Sequence, residues 1–123
     1  MAGKAADVNC KGAKGYTALH LAAGAGHFAV LKEILKKPDV ATDPPSDTGQ
    51  TPLHLAAEKG NMEIAELLCG KGADPVAKDA NLQTPLHLAA KKGSIDTIVY
   101  LMTLEEVDPL IKDKAGKLPS DIA

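Results

Sequence analysis

One block of sequence recurs at near-constant spacing. Gly15-Tyr16-Thr17-Ala18-Leu19-His20-Leu21-Ala22-Ala23 aligns with Gly49-Gln50-Thr51-Pro52-Leu53-His54-Leu55-Ala56-Ala57 and with Leu82-Gln83-Thr84-Pro85-Leu86-His87-Leu88-Ala89-Ala90. The three threonines, Thr17, Thr51 and Thr84, stand 34 and 33 residues apart. A weaker copy, Gly116-Lys117-Leu118-Pro119-Ser120-Asp121-Ile122-Ala123, follows at the same interval. A fixed period of this length is the mark of a repeat architecture, in which each unit buries its apolar face only against its neighbours.

Each copy carries the chemistry of a helical hairpin. Thr51 caps a helix by accepting from a backbone N–H two or three residues on. Pro52 occupies the first helical position, where its missing N–H costs nothing. His54 sits at the third position, from which a side chain reaches back to the cap as Glu or Gln does in a capping box. Gly26, Gly60 and Gly93 follow the first helix and suit a left-handed stop. A second apolar helix comes next, over residues 29–36, 62–68 and 95–102, with Asn61 as a cap and His27 in the same role. Ile64, Ala65, Leu67 and Leu68 give it an apolar face at helical spacing.

These motifs resemble the ankyrin repeat family. Its Thr-Pro-Leu-His-x-Ala-Ala signature stands at Thr51–Ala57 and Thr84–Ala90, and with Ala18 in place of Pro at Thr17–Ala23. Its Gly-Ala-Asp turn stands at Gly72–Asp74, with an echo at Ala6-Asp7-Val8-Asn9. The resemblance implies an all-α solenoid of stacked helix–turn–helix units with projecting hairpin loops. It also implies protein recognition through hairpin tips and the concave face of the short first helices. It implies no cofactor and no reaction. The expected organisation is one domain over 1–123, with repeats at about 12–45, 46–78 and 79–112, a partial one at 113–123, and the tail of a preceding repeat or a cap at 1–11. That abrupt start and stop suggest a segment of a longer protein.

The pattern breaks in three places. Residues 37–47 lack the Gly turn, carry three prolines and run one residue longer, which predicts an irregular, stiff excursion. A tolerated surface insertion is the favoured reading, a partner-specific loop the sharper one. Leu82 stands where the other hairpins have Gly, so Asn81 is expected to supply the left-handed residue. Leu118 and Asp121 replace Thr and His, which leaves the last capping network incomplete.

Composition narrows the function classes. Hydrophobic residues make up 45% of the chain and charged residues 24%, the balance of a folded domain. The net charge of -2 gives no general pull towards nucleic acid. All 14 basic residues are Lys, and the absence of Arg removes the usual forked reader of phosphate and bases. No apolar run is long enough for a membrane-spanning helix, and no signal peptide is recognised. Cys10 and Cys69 form no paired framework and read as free thiols of a reducing compartment, the cytoplasm or alternatively the nucleus.

Catalytic and metal readings find little support. His20, His54 and His87 recur in register, but equivalent helices lie about 8–10 Å apart. Ligands of one zinc ion must come within roughly 4 Å of each other, so these side chains are assigned to their own caps. No phosphate loop, zinc-protease or nucleophile-elbow pattern occurs. No catalytic, cofactor-binding or metal residue is therefore assigned, and the chain is read as a non-enzyme.

The candidate partner-binding positions follow from the repeat register. They are Lys14 and Tyr16; Asp47, Gln50, Glu58 and Lys59; Asn81, Gln83, Lys91 and Lys92; and Lys114 and Lys117. Tyr16, the aromatic among them, is either an anchor with large contact area or a ring packed on its own hairpin. Lys91, Lys92, Lys114 and Lys117 make one end basic. That suits an acidic or phosphorylated partner segment, while a solvated Lys face is the simpler reading. The leading expectation is a monomeric scaffold or adaptor module that binds another protein or peptide. Alternatives are a targeting or regulatory segment of a larger enzyme or channel, a nucleic-acid binder, and a spacer that binds nothing.

Overall fold

The computed structural model describes residues 11–122, and every regular element among them is a helix or a turn. The expected tail of a preceding repeat falls almost wholly outside these residues, as does Cys10. Seven helices follow in order: α1 (Ala18–Ala25), α2 (Phe28–Leu35), α3 (Pro52–Glu58), α4 (Met62–Gly70), α5 (Pro85–Lys92), α6 (Ile95–Met102) and α7 (Pro119–Ile122). Helices α1, α3, α5 and α7 stack in one row, and α2, α4 and α6 form a second row behind them. The all-α repeat stack expected from the sequence is the architecture observed.

The inner row is close because its contact residues are small. Ala22, Ala23, Ala56, Ala57, Ala89 and Ala90 are all buried. Leu19, Leu53 and Leu86 fill the space between rows, with Leu31, Ile64, Leu68 and Leu101 opposite them, almost all fully buried. Burial of one such side chain stabilises by about 1.5–3 kcal/mol, and no single hairpin could achieve it alone. Partly buried Ile34, Leu67, Ile98, Tyr100, Leu104 and Val107 pack around this core.

The stops and starts follow local chemistry. Gly26 and Gly93 end α1 and α5 in the left-handed conformation at φ 77° and 76°. Asn61 caps α4 by accepting from the Ile64 N–H at 3.2 Å. His27 stands at the cap position of α2, but its side chain makes no cap bond, so the expected role fails there. At α6 the Ser94 hydroxyl makes no cap bond to the backbone; it lies within hydrogen-bond distance of the Gly60 carbonyl (3.3 Å) of the preceding repeat and of the Thr97 hydroxyl (3.0 Å), with one proton to give.

The proline-containing excursion is irregular, as expected, yet it is tied down on both sides. Val40 packs on the core and Pro44 is buried. The Lys11 ammonium donates to the Pro45 carbonyl at 3.0 Å. Asp43 Oδ2 accepts from the Asp74 N–H of the next repeat at 2.9 Å, while its Oδ1 is buried without a hydrogen-bond partner. Burial, with the nearby Asp74 charge adding to it, raises the Asp43 pKa.

Candidate functional site

The candidate surface is built from four hairpins, and three of them begin with the same device. In the second, the Ser46 hydroxyl accepts from the Thr48 and Gln50 N–H groups at 3.3 and 3.2 Å. In the third, Asp79 Oδ1 accepts from Asn81 and Gln83, both at 2.9 Å. In the fourth, Asp113 Oδ1 accepts from Ala115 and Lys117, again at 2.9 Å. These bonds to backbone N–H groups favour the charged carboxylate and hold the Asp113 pKa down. Gly12 occupies this place in the first hairpin and has no side chain to offer. That hairpin turns instead through two consecutive left-handed residues, Lys14 (φ 61°) and Gly15 (φ 74°).

Successive tips are joined by a main-chain ladder. Asp47 N–H donates to the Lys14 carbonyl at 3.0 Å, Ala80 to Thr48 at 2.9 Å, and Lys114 to Asn81 at 2.8 Å. The close approach explains Gly15 and Gly49, where a Cβ would press on the next hairpin. A Cβ on Gly49 would come within 3.1 Å of Ala80 N and 3.2 Å of the Asp79 Cα.

Histidines clamp the base of each hairpin. Thr17 N–H donates to His20 Nδ1, Thr51 to His54 and Thr84 to His87, each at 3.1 Å. An Nδ1 that accepts leaves the proton on Nε2. Nε2 then donates to the next repeat: His20 to the Gln50 carbonyl (2.7 Å), His54 to Gln83 (2.8 Å) and His87 to Lys117 (3.1 Å). Burial is the main cause lowering the pKa of His20 and His54, partly offset by these carbonyls. The expected assignment to the caps holds, and the bond to the following repeat is an addition that local sequence does not reveal. In the last unit the Asp121 carboxylate accepts from Leu118 N–H at 2.9 Å, so the reach-back half of the box survives there.

The structure separates the candidate residues into three groups, with Tyr16 apart from them. Gln50, Gln83 and Lys117 are fixed through the carbonyls that the histidines grip. Lys14, Asp47, Asn81 and Lys114 are exposed tip residues tied by the ladder. Glu58, Lys59, Lys91 and Lys92 are exposed at the ends of the inner helices. Tyr16 is half-buried and stacks on His20, with ring centroids 5.3 Å apart. Its own hairpin therefore already engages one face of the ring.

Leu82 corrects an expectation. It takes the left-handed conformation itself, at φ 57°, and Asn81 does not. That conformation costs an L-residue about 1–2 kcal/mol, because Cβ crowds the following carbonyl.

Little else converges. Among the described residues no three His, Cys, Asp or Glu side chains gather as a metal site would require. Cys69 is half-buried, and burial pushes its thiol up to about 11, far from a nucleophile's range. A cavity of about 350 Å³ between α5, α6 and α7 is lined mainly by apolar side chains, among them Leu86, Ile98, Met102 and Leu110. Among the described residues no helix is long and apolar enough to cross a membrane.

Comparison with known proteins matches the chain to the family model described as ankyrin repeats (3 copies), over residues 1–79 and 42–113. The chain is 39% identical over 75 residues to the poly(ADP-ribose) polymerase tankyrase of Caenorhabditis elegans, covering 58% of this chain and 3% of that protein. It is equally similar over 75 residues to the nuclear factor NF-kappa-B p105 subunit of Mus musculus, covering 60% of this chain and 8% of that protein. It is 34% identical over 112 residues to the target of rapamycin complex 2 subunit AVO2 of Saccharomyces cerevisiae, covering 89% of this chain and 26% of that protein. The chain thus spans only a small part of the length of these relatives.

Proposed function

The chain belongs to the ankyrin repeat family, whose repeats are generally non-catalytic protein-interaction modules, and from that premise we propose that this one serves as a scaffold or adaptor docking a partner segment across its hairpin tips and inner-helix ends. The observation that carries the reading is the tip ladder with its histidine clamps. Together they hold the backbone of all four hairpins while leaving Lys14, Asp47, Asn81 and Lys114 exposed. A surface organised before binding loses little conformational freedom when a partner arrives. It also binds with little backbone rearrangement.

The charge pattern refines the partner. Lys91, Lys92, Lys114 and Lys117 lie at one end of this face, all exposed, and they favour an acidic or phosphorylated segment. The free thiol of Cys69 suits a reducing compartment, and we place the protein in the cytoplasm. The test is affinity capture with the tagged chain and with two variants. Tyr16→Ala with Gln50→Ala is expected to lose the captured partner. Lys91→Glu with Lys92→Glu is expected to weaken it and flatten its salt dependence. Capture that is indifferent to both variants contradicts the reading.

A second reading is favoured by the lengths of the relatives. This chain corresponds to 3% of one and 8% of another, which suits a targeting or regulatory segment of a larger enzyme or channel. The surface would then recruit substrates or partners to chemistry located elsewhere.

A further inference from the structure

We propose that Leu82 is an apolar anchor for an extended, acidic segment of a partner protein laid across the third and fourth hairpin tips. The proposal deepens the docking reading above and rests on it.

The first observation is conformational. The corresponding residues of the other hairpins are Gly15, Gly49 and Gly116, with φ of 74°, 78° and 79°. Leu82 adopts the same turn at φ 57°, with a side chain that this backbone region disfavours. A glycine there would relieve the strain, and neither core cluster includes Leu82 to offset it. The second observation is exposure. Leu82 is 44% exposed and belongs to neither hydrophobic cluster of the core. Strain kept for a part-exposed side chain outside both core clusters points to function.

The third observation is presentation. Leu82 N–H donates to the Asp79 carbonyl at 2.9 Å, and the neighbouring Asn81 carbonyl is held by Lys114 N–H at 2.8 Å. The residues on either side of it, Asn81 and Gln83, line a polar hollow of about 310 Å³ with Asp113, Lys114 and Ala115. A fixed backbone thus offers an aliphatic side chain at the edge of a polar depression.

Charge complementarity selects the occupant. Asp113 is the acid of this hollow, and its carboxylate is already committed. Oδ1 accepts from Ala115 and Lys117, and Oδ2 from the Gln83 side chain at 3.3 Å. The exposed ammonium groups of Lys114 and Lys117 are left to attract an outside anion. An aliphatic contact beside them matches a peptide carrying Asp or Glu next to an apolar residue. It does not match a phosphate backbone, which has nothing to place on Leu82.

The test uses a displayed library of random linear peptides selected on the 123-residue chain. Affinities of the recovered peptides are then measured by fluorescence anisotropy on the wild type and on variants. The expected peptides are acidic with an aliphatic or aromatic residue. Leu82→Gly should weaken them at least about fivefold, while Leu82→Met stays within about twofold. The urea midpoint of Leu82→Gly should equal or exceed that of the wild type. Peptides that Leu82→Gly leaves within about twofold overturn the proposal, and so does a lowered midpoint, which would make Leu82 a packing residue. Peptides that respond to Lys91→Glu with Lys92→Glu but not to Leu82→Gly sink the anchor and leave the docking reading standing. Failure to recover any peptide, or indifference to both changes, sinks both. A random single-stranded oligonucleotide that displaces the peptides equally well from wild type and Leu82→Gly also overturns it, in favour of a polyanion site.

Discussion

Helix α3 and helix α1 carry the same motif but live in different surroundings. Leu55 of α3 is buried, at 7% exposure, because α1 lies on one side and α5 on the other. Leu21, its counterpart in α1, is 59% exposed. The local structure is nevertheless the same. Both helices start at a Thr whose hydroxyl accepts from the third helical N–H, and both carry a His that reaches back to the cap. The capping box therefore belongs to the sequence of one unit, whereas burial belongs to its neighbours. In a repeat protein the energy that distinguishes one unit from the next resides in the interfaces.

The comparison can be broken most severely in the core. Leu53→Ala removes a side chain with no exposure at the centre of the stack. It should cost about 4 kcal/mol, against less than about 1 kcal/mol for Leu21→Ala. Urea unfolding of both variants checks this. Equal losses would mean that burial does not separate the two helices.

His54→Ala ranks next. It strips a partner from both the Thr51 N–H and the Gln83 carbonyl. Two buried groups left unmatched should cost about 3 kcal/mol together. Asp121→Ala removes one exposed bond and should cost under about 1 kcal/mol.

The same histidines set a pH dependence. The folded state lowers the pKa of His20 and His54, so the unfolded chain binds more protons below about 6.5. Their contribution is complete above that value and is lost as the pH falls through it towards the folded pKa. The limit is about 1.4 kcal/mol per pH unit for each histidine. Stability measured between neutral and mildly acidic pH should follow this slope, and His54→Gln should flatten it.

The smallest contrast lies at the tips. Gly49 and Gly116 have nearly the same φ, 78° and 79°. Of these two, Gly49 would set a Cβ against the next hairpin, whereas nothing lies within 4 Å at Gly116. Gly116→Ala should cost about 1 kcal/mol from conformation alone, and Gly49→Ala about 1 kcal/mol more. Matching midpoints for the two variants would show that the hairpins do not press on each other.

What could be read from the sequence was whatever acts within one repeat. The Thr caps, the Pro at the first helical position, the reach-back His and the Asn61 cap all span three or four residues, and all are present. The contacts that make the surface rigid span about a repeat length. The carbonyl gripped by His20 is 30 residues away, and Asp43 reaches 31 residues to Asp74. No local propensity encodes such a partner. The alignment of Ser46, Asp79 and Asp113 was visible as a signal, since each begins a hairpin, but its meaning needs the turn geometry. Leu82 departs from expectation for a related reason: Asn tolerates the left-handed region better than Leu, yet the position in the turn decides which residue must adopt it.

The most direct measurement of the central claim is amide hydrogen exchange at the tips. The Asp47, Ala80 and Lys114 N–H groups each donate to the preceding hairpin. If the ladder preforms the surface, these three amides exchange at least about a hundredfold more slowly than in an unstructured chain, without any partner present. Exchange at the unstructured rate would mean that the hairpins move independently and that no organised docking face exists before binding.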